Sequence, residues 1–138
     1  MDKRKIVRVK DVMKSDFDRV EGIATVASAL DAMEHQESHA LIVNKRDDDD
    51  EYGIVLLSDI AQNVLAKGRS PERVNIYEIM TKPVVCVRAD MDIRYCIRLF
   101  EQNHLVVAPV IKGCDGELIG LVSYNDIVIN SLKILETE

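Results

Sequence analysis

The sequence has few aromatic residues, few cysteines and no long apolar run. Among its 138 residues are two Phe, four Tyr and no Trp, so a hydrophobic core must be built mainly from Val, Ile, Leu, Ala and Met. No segment approaches the roughly 20 apolar residues that a membrane-spanning helix requires. The start of the chain also lacks the apolar stretch of a signal peptide. We therefore expect a globular protein with no membrane partner.

The three cysteines follow no pattern that would indicate a disulfide framework or a metal site. Cys86, Cys96 and Cys114 are odd in number and show no CxxC spacing. Such cysteines are typical of free thiols in a reducing compartment, which predicts a cytoplasmic protein.

Positive charge is also in short supply. The formal net charge is −6, whereas a nucleic-acid surface needs clustered Lys and Arg to displace counterions. A short basic stretch at residues 3–10 is ordinary for a chain terminus. We therefore expect no nucleic-acid partner.

The main positive feature is an internal repeat, because the second half of the sequence matches the first at a constant offset of 67 residues. The offset needs no gap, and a repeat of this kind decides the fold before any single residue does. Because each half alone would be small, we expect the two repeats to share one core. Identical residues at matching positions include Met13 and Met80, Glu34 and Glu101, Val43 and Val110, Gly53 and Gly120, and Asp59 and Asp126.

The hydrophobic pattern predicts the same elements in each repeat. Apolar residues spaced i, i+3, i+4, i+7 predict a buried helical stripe in each: Val26, Ala29, Leu30 and Met33, and then Ile93, Cys96, Ile97 and Phe100. Short strands at 18–20 and 84–87 precede these helices, and two further strands follow each one, at 40–43 and 52–57 and at 106–111 and 118–123. Each later pair is predicted to form an antiparallel hairpin. A helix then starts at Ser58-Asp59 or Asn125-Asp126, which are good capping residues.

This order resembles a stand-alone pair of CBS domains, also called a Bateman module. The similar phrases are VKDVM at 9–13, IYEIMTKP at 76–83, GIVLLSD at 53–59 and GLVSYND at 120–126. The resemblance implies an α/β (α+β) fold with two pseudo-symmetric repeats, each a small three-stranded mixed sheet with flanking helices. Repeat 1 would span 6–67 and repeat 2 would span 73–134, with tails at 1–5 and 135–138, together forming one compact module.

The resemblance also implies a regulatory function rather than an enzyme. CBS pairs commonly bind AMP, ADP, ATP or S-adenosylmethionine in clefts between the repeats, and they usually form homodimers. We therefore expect an adenosine-sensing module that signals to a protein partner and requires no cofactor. The alternative is a ligand-free dimerisation or interaction module.

One of the two clefts carries the full ligand motif of the family, which is Gly, two apolar residues, Ser or Thr, two variable residues and Asp. Repeat 2 has Gly120, Ser123 and Asp126, whereas repeat 1 has Leu56 in place of the hydroxyl residue before Asp59. We expect a ribose site at Ser123 and Asp126 and a weaker one at Asp59. The resemblance places adenine against the main chain beside this cleft, so we expect contacts with Thr81, Lys82, Pro83 and Val85. Lys82 and His104 are candidates for a phosphate contact.

Other interpretations of these residues remain. An Asp at a helix start is favourable for the helix dipole without any ligand. His35 and His39 stand four apart but lack the HExxH pattern, and the acidic turn at 47–51 lacks the Gly and Glu of a calcium loop. That turn is instead expected to be a solvated, mobile hairpin tip. A small enzyme or metal protein is the least favoured alternative, because no nucleophile and base are suitably spaced.

Overall fold

The computed structural model describes residues 6–113 and 116–136. The chain divides into two compact units. Unit 1 contains the described residues up to Asp16 and from Val85 onwards, and unit 2 is Phe17–Val84. The units are not the sequence repeats, because the opening segment of repeat 1 lies in unit 1, whose sheet comes from repeat 2.

The element order agrees with the predicted one, which is short helix, strand, helix, strand, strand, helix in each repeat. Repeat 1 consists of α1 (Val9–Val12), β1 (Asp18–Val20), α2 (Val26–Asp31), β2 (Ala40–Val43), β3 (Gly53–Leu56) and α3 (Leu57–Ile60), which continues as a π-helical segment, Ala61–Leu65. Repeat 2 consists of a 3-10 turn (Ile76–Glu78), β4 (Val87–Arg88), α4 (Ile93–Asn103), β5 (Val107–Lys112), β6 (Glu117–Ser123) and α5 (Tyr124–Glu136). In the described part of the chain, no helix combines the length and apolar character needed to cross a membrane.

Each unit contains one mixed three-stranded sheet, which confirms the predicted fold class. In unit 2, β1 pairs with β2 in parallel and β2 pairs with β3 antiparallel. In unit 1, β4, β5 and β6 repeat this arrangement. The central strand β2 is buried at all four positions, since both of its faces are covered, and its apolar sequence suits that environment. Strand β4 begins at Val87, three residues later than the pattern predicted.

The buried apolar side chains form two clusters, one within each unit, where a single shared core was expected. In unit 1, Phe100 and Cys96 of α4 are fully buried, and the Phe100 ring meets the Tyr124 ring edge-on at 5.1 Å between centroids. In unit 2, three positions of the predicted α2 stripe are buried, but Leu30 is only half-buried at the edge of the cluster. The prediction that every stripe residue is buried is therefore wrong for Leu30, and in α4 it is wrong for Ile93 and Ile97, which are also half-buried.

The segment after α1 and the segment after the 3-10 turn make the same contact with a strand. Lys14 and Leu121 exchange two main-chain hydrogen bonds of 2.8 and 2.9 Å, and Thr81 and Ile54 exchange two of 2.9 and 3.0 Å. The two pairs are related by the 67-residue offset. Each contact joins the opening segment of one repeat to the last strand of the other repeat, which is why the compact units differ from the repeats.

Candidate functional site

Ser123 and Asp126 form a reciprocal cap at the start of α5. Asp126 Oδ2 accepts hydrogen bonds from the Ser123 main-chain N–H at 3.1 Å and from Ser123 Oγ at 3.0 Å. Ser123 Oγ in turn accepts from the Asp126 N–H at 3.2 Å. This satisfies main-chain groups that a helix start leaves unpaired. Ser123 is thus the capping residue, two residues before the predicted cap at Asn125-Asp126, and Asp126 lies within the first turn.

The Asp126 carboxylate is almost buried, and its second oxygen faces a cation. Asp126 is 7% exposed, and its Oδ1 lies 3.8 Å from Lys14 Nζ. The Lys14 side chain is 40% exposed, and its main chain is fixed by the pairing with Leu121. One carboxylate oxygen is therefore used by the helix cap, while the other is available to hydroxyl donors beside an ammonium group that can meet an anion.

The equivalent place in repeat 1 lacks both the hydroxyl and the cation. Asp59 Oδ2 accepts a hydrogen bond from the Leu56 main-chain N–H at 2.9 Å, but the Leu56 side chain has no polar group. The residue paired with the neighbouring strand is Thr81 rather than a lysine. Among the described residues, the start of α5 thus combines a hydroxyl, a carboxylate and an ammonium group from the opening segment of repeat 1, whereas the start of α3 does not.

The remaining predicted nucleotide-binding residues fall into both units. Thr81 pairs with Ile54 on the strand that leads to Asp59, and Lys82 and Pro83 follow it at the end of unit 2. Val85 begins the second segment of unit 1 and is half-buried. Within unit 1, Lys14 occupies the main-chain position beside β6, the strand that ends at Ser123 and leads to Asp126. Sequence analysis missed Lys14, although the 67-residue offset makes it the exact counterpart of Thr81.

The acidic turn contains a paired carboxylate. The Asp50 side chain is only 8% exposed and lies 2.6 Å from the Lys82 ammonium, which is itself 19% exposed. Asp50 also accepts from the Arg46 main-chain N–H at 2.8 Å. The hydrogen bond from Lys82, followed by that from Arg46, holds the pKa of Asp50 well below its ordinary value. The prediction of a solvated tip is therefore wrong for Asp50, while residues 47–49 are exposed.

The structure also places Lys82 and His104, the candidates for a phosphate contact, and His39, one of the two spaced histidines. Lys82 is engaged by Asp50, and His104 is exposed where α4 ends, with φ of 55°. His39 ends a 3-10 turn just before β2. Among residues 6–113 and 116–136, no group of three or more His, Cys, Asp or Glu side chains is placed to hold a metal ion.

Of the cysteines, Cys96 is buried in the unit 1 core and Cys86 is half-buried. Burial raises the pKa of the Cys96 thiol to about 11, which keeps it protonated near neutral pH. Cys114 lies outside the described residues.

Comparison with known proteins gives a consistent family assignment. The CBS domain family matches residues 9–66 and 76–133. An uncharacterized protein of Methanopyrus kandleri is 30% identical over 103 residues, covering 75% of this chain and 51% of that protein. The chain thus spans about half the length of that curated relative, and less than a third of two further curated matches.

Two solved structures show the same fold. A crystal structure of the hexameric CBS-CP12 protein from bloom-forming cyanobacteria has a TM-score of 0.84 at 36% identity, covering 91% of this chain and 68% of that one. The CBS domain pair of protein MJ0100, in complex with 5′-methylthioadenosine and S-adenosyl-L-methionine, has a TM-score of 0.75 at 21% identity, covering 97% and 100% of the two chains. With two family matches that follow the 67-residue repeat, this chain belongs to the CBS domain family and carries a tandem pair of CBS domains.

Proposed function

We propose that this chain is a regulatory module that binds an adenosine-containing ligand, AMP, ADP, ATP or S-adenosylmethionine, at Ser123 and Asp126. The bound state would be passed to a protein partner in the cytoplasm. The observation that carries the proposal is the almost buried Asp126 carboxylate, which keeps Oδ1 outside the helix cap and next to Lys14. The adenosine compounds bound to the CBS pair of MJ0100 support the ligand class.

The ribose is expected to bind through the second Asp126 oxygen. Hydrogen bonds from hydroxyl groups to a charged carboxylate contribute about 1.5–3 kcal/mol each. Lys14 does not block this contact, because its 3.8 Å separation from Oδ1 exceeds hydrogen-bond length and its side chain is partly solvated. Its ammonium can instead meet the phosphate of a nucleotide or the carboxylate of S-adenosylmethionine. The start of the 13-residue helix α5 adds favourable main-chain N–H dipoles.

Signalling follows from differential affinity. A ligand shifts the balance between two conformations only by the difference in its affinity for them. Lys14 lies between α1 and β1, so a ligand held by both Lys14 and Asp126 would restrain that connecting segment. A partner that contacts this segment would then distinguish the ligand-bound chain from the ligand-free chain.

The test is isothermal titration of AMP, ADP, ATP and S-adenosylmethionine into the full chain, the Asp126→Asn variant and the Asp59→Asn variant. Asn preserves the size of each side chain and an oxygen that can accept the capping hydrogen bond, so both variants should fold. We expect Asp126→Asn to weaken binding of the preferred ligand by about ten- to hundredfold. Asp59→Asn is the matched control and should leave the affinity unchanged.

Binding that depends on Asp59 and not on Asp126 would refute the assignment of the site. Absence of binding by all four ligands to protein freed of bound nucleotide would refute the sensor function. A Lys14→Met variant adds a second check, because it should weaken ATP binding more than adenosine binding. Equal losses for both ligands would exclude a phosphate contact by Lys14.

A helix face favours the second candidate function, self-association. On α5, Val128, Ile129, Leu132 and Leu135 are each 50–55% exposed and share one side of the helix. Exposed apolar patches of this kind mark interaction sites. We propose that this face pairs two copies of the chain into a homodimer.

Sedimentation equilibrium tests the dimer with an Ile129→Glu, Leu132→Glu double variant, which should be monomeric. Leu65→Glu is a matched control, because Leu65 is exposed like Leu132 and occupies the equivalent position, but Ala61 and Gln62 replace its apolar neighbours. A double variant that remained dimeric would show that α5 is not the interface.

A further inference from the structure

Unit 2 contains a cavity of about 610 Å³ at the end of the β2–β3 hairpin that is remote from Asp59. Strands β2 and β3 pair Val43 with Gly53, and the cavity lies at this end, whereas Asp59 follows the far end of β3. Apart from Lys82, which is paired with Asp50, none of the cavity residues was predicted to contact the nucleotide. We propose that this cavity binds an α-amino acid with an apolar side chain.

The cavity offers an apolar surface for such a side chain. Ile23 is 80% exposed and Tyr77 is 54% exposed, and both line the cavity together with Met80 and the buried Val43. Gly22 contributes no side chain between Tyr77 and Val43, which leaves room there. Small-molecule pockets have volumes of about 300–1,000 Å³ and combine apolar walls with a few polar groups, and this cavity fits that description.

The charged groups of the cavity match the two ends of a zwitterion. Arg46 and Lys82 supply positive charge, and both are oriented by the same Asp50 carboxylate. Arg46 uses its main-chain N–H and Nε for Asp50, so its terminal amino groups are available for the carboxylate of a ligand. Glu21, which is held only by a 3.4 Å hydrogen bond from Asn44 among the described residues, can receive an ammonium group.

Unit 1 has an equivalent cavity whose lining differs at each of these positions. It measures about 380 Å³ and is lined by Lys10, Arg88 and Asp90, which are the 67-residue counterparts of Tyr77, Glu21 and Ile23. The fold therefore produces a recess in both units, but in unit 1 a cation replaces the Glu21 carboxylate and charged residues replace Ile23 and Tyr77, while Ile111 and Ile119 keep part of that recess apolar. The lining residues of the unit 2 cavity are therefore specific to its sequence and do not follow from the backbone fold alone.

The experiment follows amide chemical shifts of the full ¹⁵N-labelled chain during titration with four probes. L-phenylalanine carries the side chain and both charges, 3-phenylpropionate lacks the ammonium group, phenethylamine lacks the carboxylate and glycine lacks the side chain. We expect L-phenylalanine to shift the amides of Gly22, Asn44 and Lys82. It should also bind about tenfold or more tightly than each of the other three probes.

Two variants exchange cavity residues for those that repeat 2 carries at the same places. Glu21→Arg copies Arg88 and should weaken L-phenylalanine and phenethylamine but not 3-phenylpropionate. Arg46→Gly copies Gly113 and should weaken L-phenylalanine and 3-phenylpropionate but not phenethylamine. Far-UV circular dichroism checks that both variants fold.

Equal binding of L-phenylalanine and its two analogues would overturn the proposal, as would shifts confined to residues outside the cavity or no shift at millimolar probe. Nucleotide titration of Glu21→Arg separates this proposal from the sensor function. We expect nucleotide affinity to be unchanged in that variant while L-phenylalanine binding is lost. Joint loss of both would overturn the independence of the two sites.

Discussion

Three glycines provide a graded test of how closely the opening segments approach the sheets. A Cβ added at Gly120 would lie 2.6 Å from the Lys14 carbonyl oxygen and 2.9 Å from the Met13 sulfur. At Gly53, the matching position of repeat 1, it would lie 3.1 Å from the Met80 sulfur and 3.2 Å from the Thr81 oxygen. None of these glycines adopts a left-handed backbone, so alanine would be opposed only by these contacts.

These distances determine which alanine substitution lowers the free energy of unfolding more. Ordinary contact begins at 3.4 Å, so Gly120→Ala must move the Lys14 main chain by 3.4 − 2.6 = 0.8 Å. Gly53→Ala requires only 3.4 − 3.1 = 0.3 Å at a flexible methionine and 3.4 − 3.2 = 0.2 Å at the Thr81 oxygen. The larger shift disrupts the two hydrogen bonds between Lys14 and Leu121. Each contributes about 0.5–1.5 kcal/mol, so we expect Gly120→Ala to lower the free energy of unfolding by about 1–3 kcal/mol. Gly53→Ala should cost less than about 1 kcal/mol.

Gly22→Ala is the control, because its Cβ would meet neighbours at 3.5 and 3.7 Å, which is ordinary contact. Its stability should be unchanged or increased by up to about 1 kcal/mol, since alanine restricts the unfolded chain. The chain has no Trp, so urea unfolding would be followed by far-UV circular dichroism. If Gly120→Ala cost no more than Gly53→Ala, the close pairing of Lys14 with Leu121 would be refuted.

Three further predictions concern single side chains. Phe100→Ala should lower the free energy of unfolding by about 3–5 kcal/mol, because the ring is fully buried. Leu30→Ala should lower it by less than the roughly 2 kcal/mol that is the minimum for a buried leucine. A reversed order of these two effects in urea titrations would contradict the burial of these residues. Ser123→Leu, which copies Leu56, should cost about 1 kcal/mol through loss of the α5 cap and should weaken nucleotide binding; unchanged thermal unfolding would exclude the cap. Because the pKa of Asp50 is lowered in the folded state, its stabilising contribution is complete above its unfolded pKa of about 3.9 and decreases as pH falls below that value. Asp50→Asn should therefore lose less stability than the natural chain between pH 5 and pH 2.5 in urea titrations, and an equal loss would exclude the ion pair.

Local patterns predicted the elements because each depends on neighbouring residues. The spacing of Cys96 and Phe100 predicted the buried side of α4, and the apolar run at 40–43 gave β2 with its observed bounds. Leu30 fits the same spacing as Ala29 but lies at the edge of the cluster. Periodicity indicates which side of a helix is apolar, while the width of the buried stripe depends on what packs against it.

Long-range pairings could not be predicted in the same way. Lys14 and Thr81 occupy equivalent positions in two repeats with the same element order, so the sequence is equally compatible with pairing inside a repeat or across repeats. Asp50 and Lys82 are 32 residues apart in the sequence, and no spacing rule connects them. The motif at Ser123 and Asp126 was visible because its members are three residues apart on one helix start, whereas the Lys14 ammonium beside it became visible only with the strand pairing.

The duplicated chain keeps its main-chain contacts and varies its side chains. The pairs of Lys14 with Leu121 and of Thr81 with Ile54 use only main-chain groups, so substitution at these positions leaves the pairing possible. The chain could therefore carry Ser123 where the other repeat has Leu56, and Lys14 where the other contact has Thr81, without losing the fold. Because stability rests on contacts common to both units while the polar groups differ, each unit can acquire a separate ligand preference. We therefore expect an exchange of Ser123 and Leu56 to move nucleotide binding only in part, since Thr81 would still lack the charge that Lys14 supplies. Binding at Asp59 with full affinity in that double variant would contradict a role for Lys14.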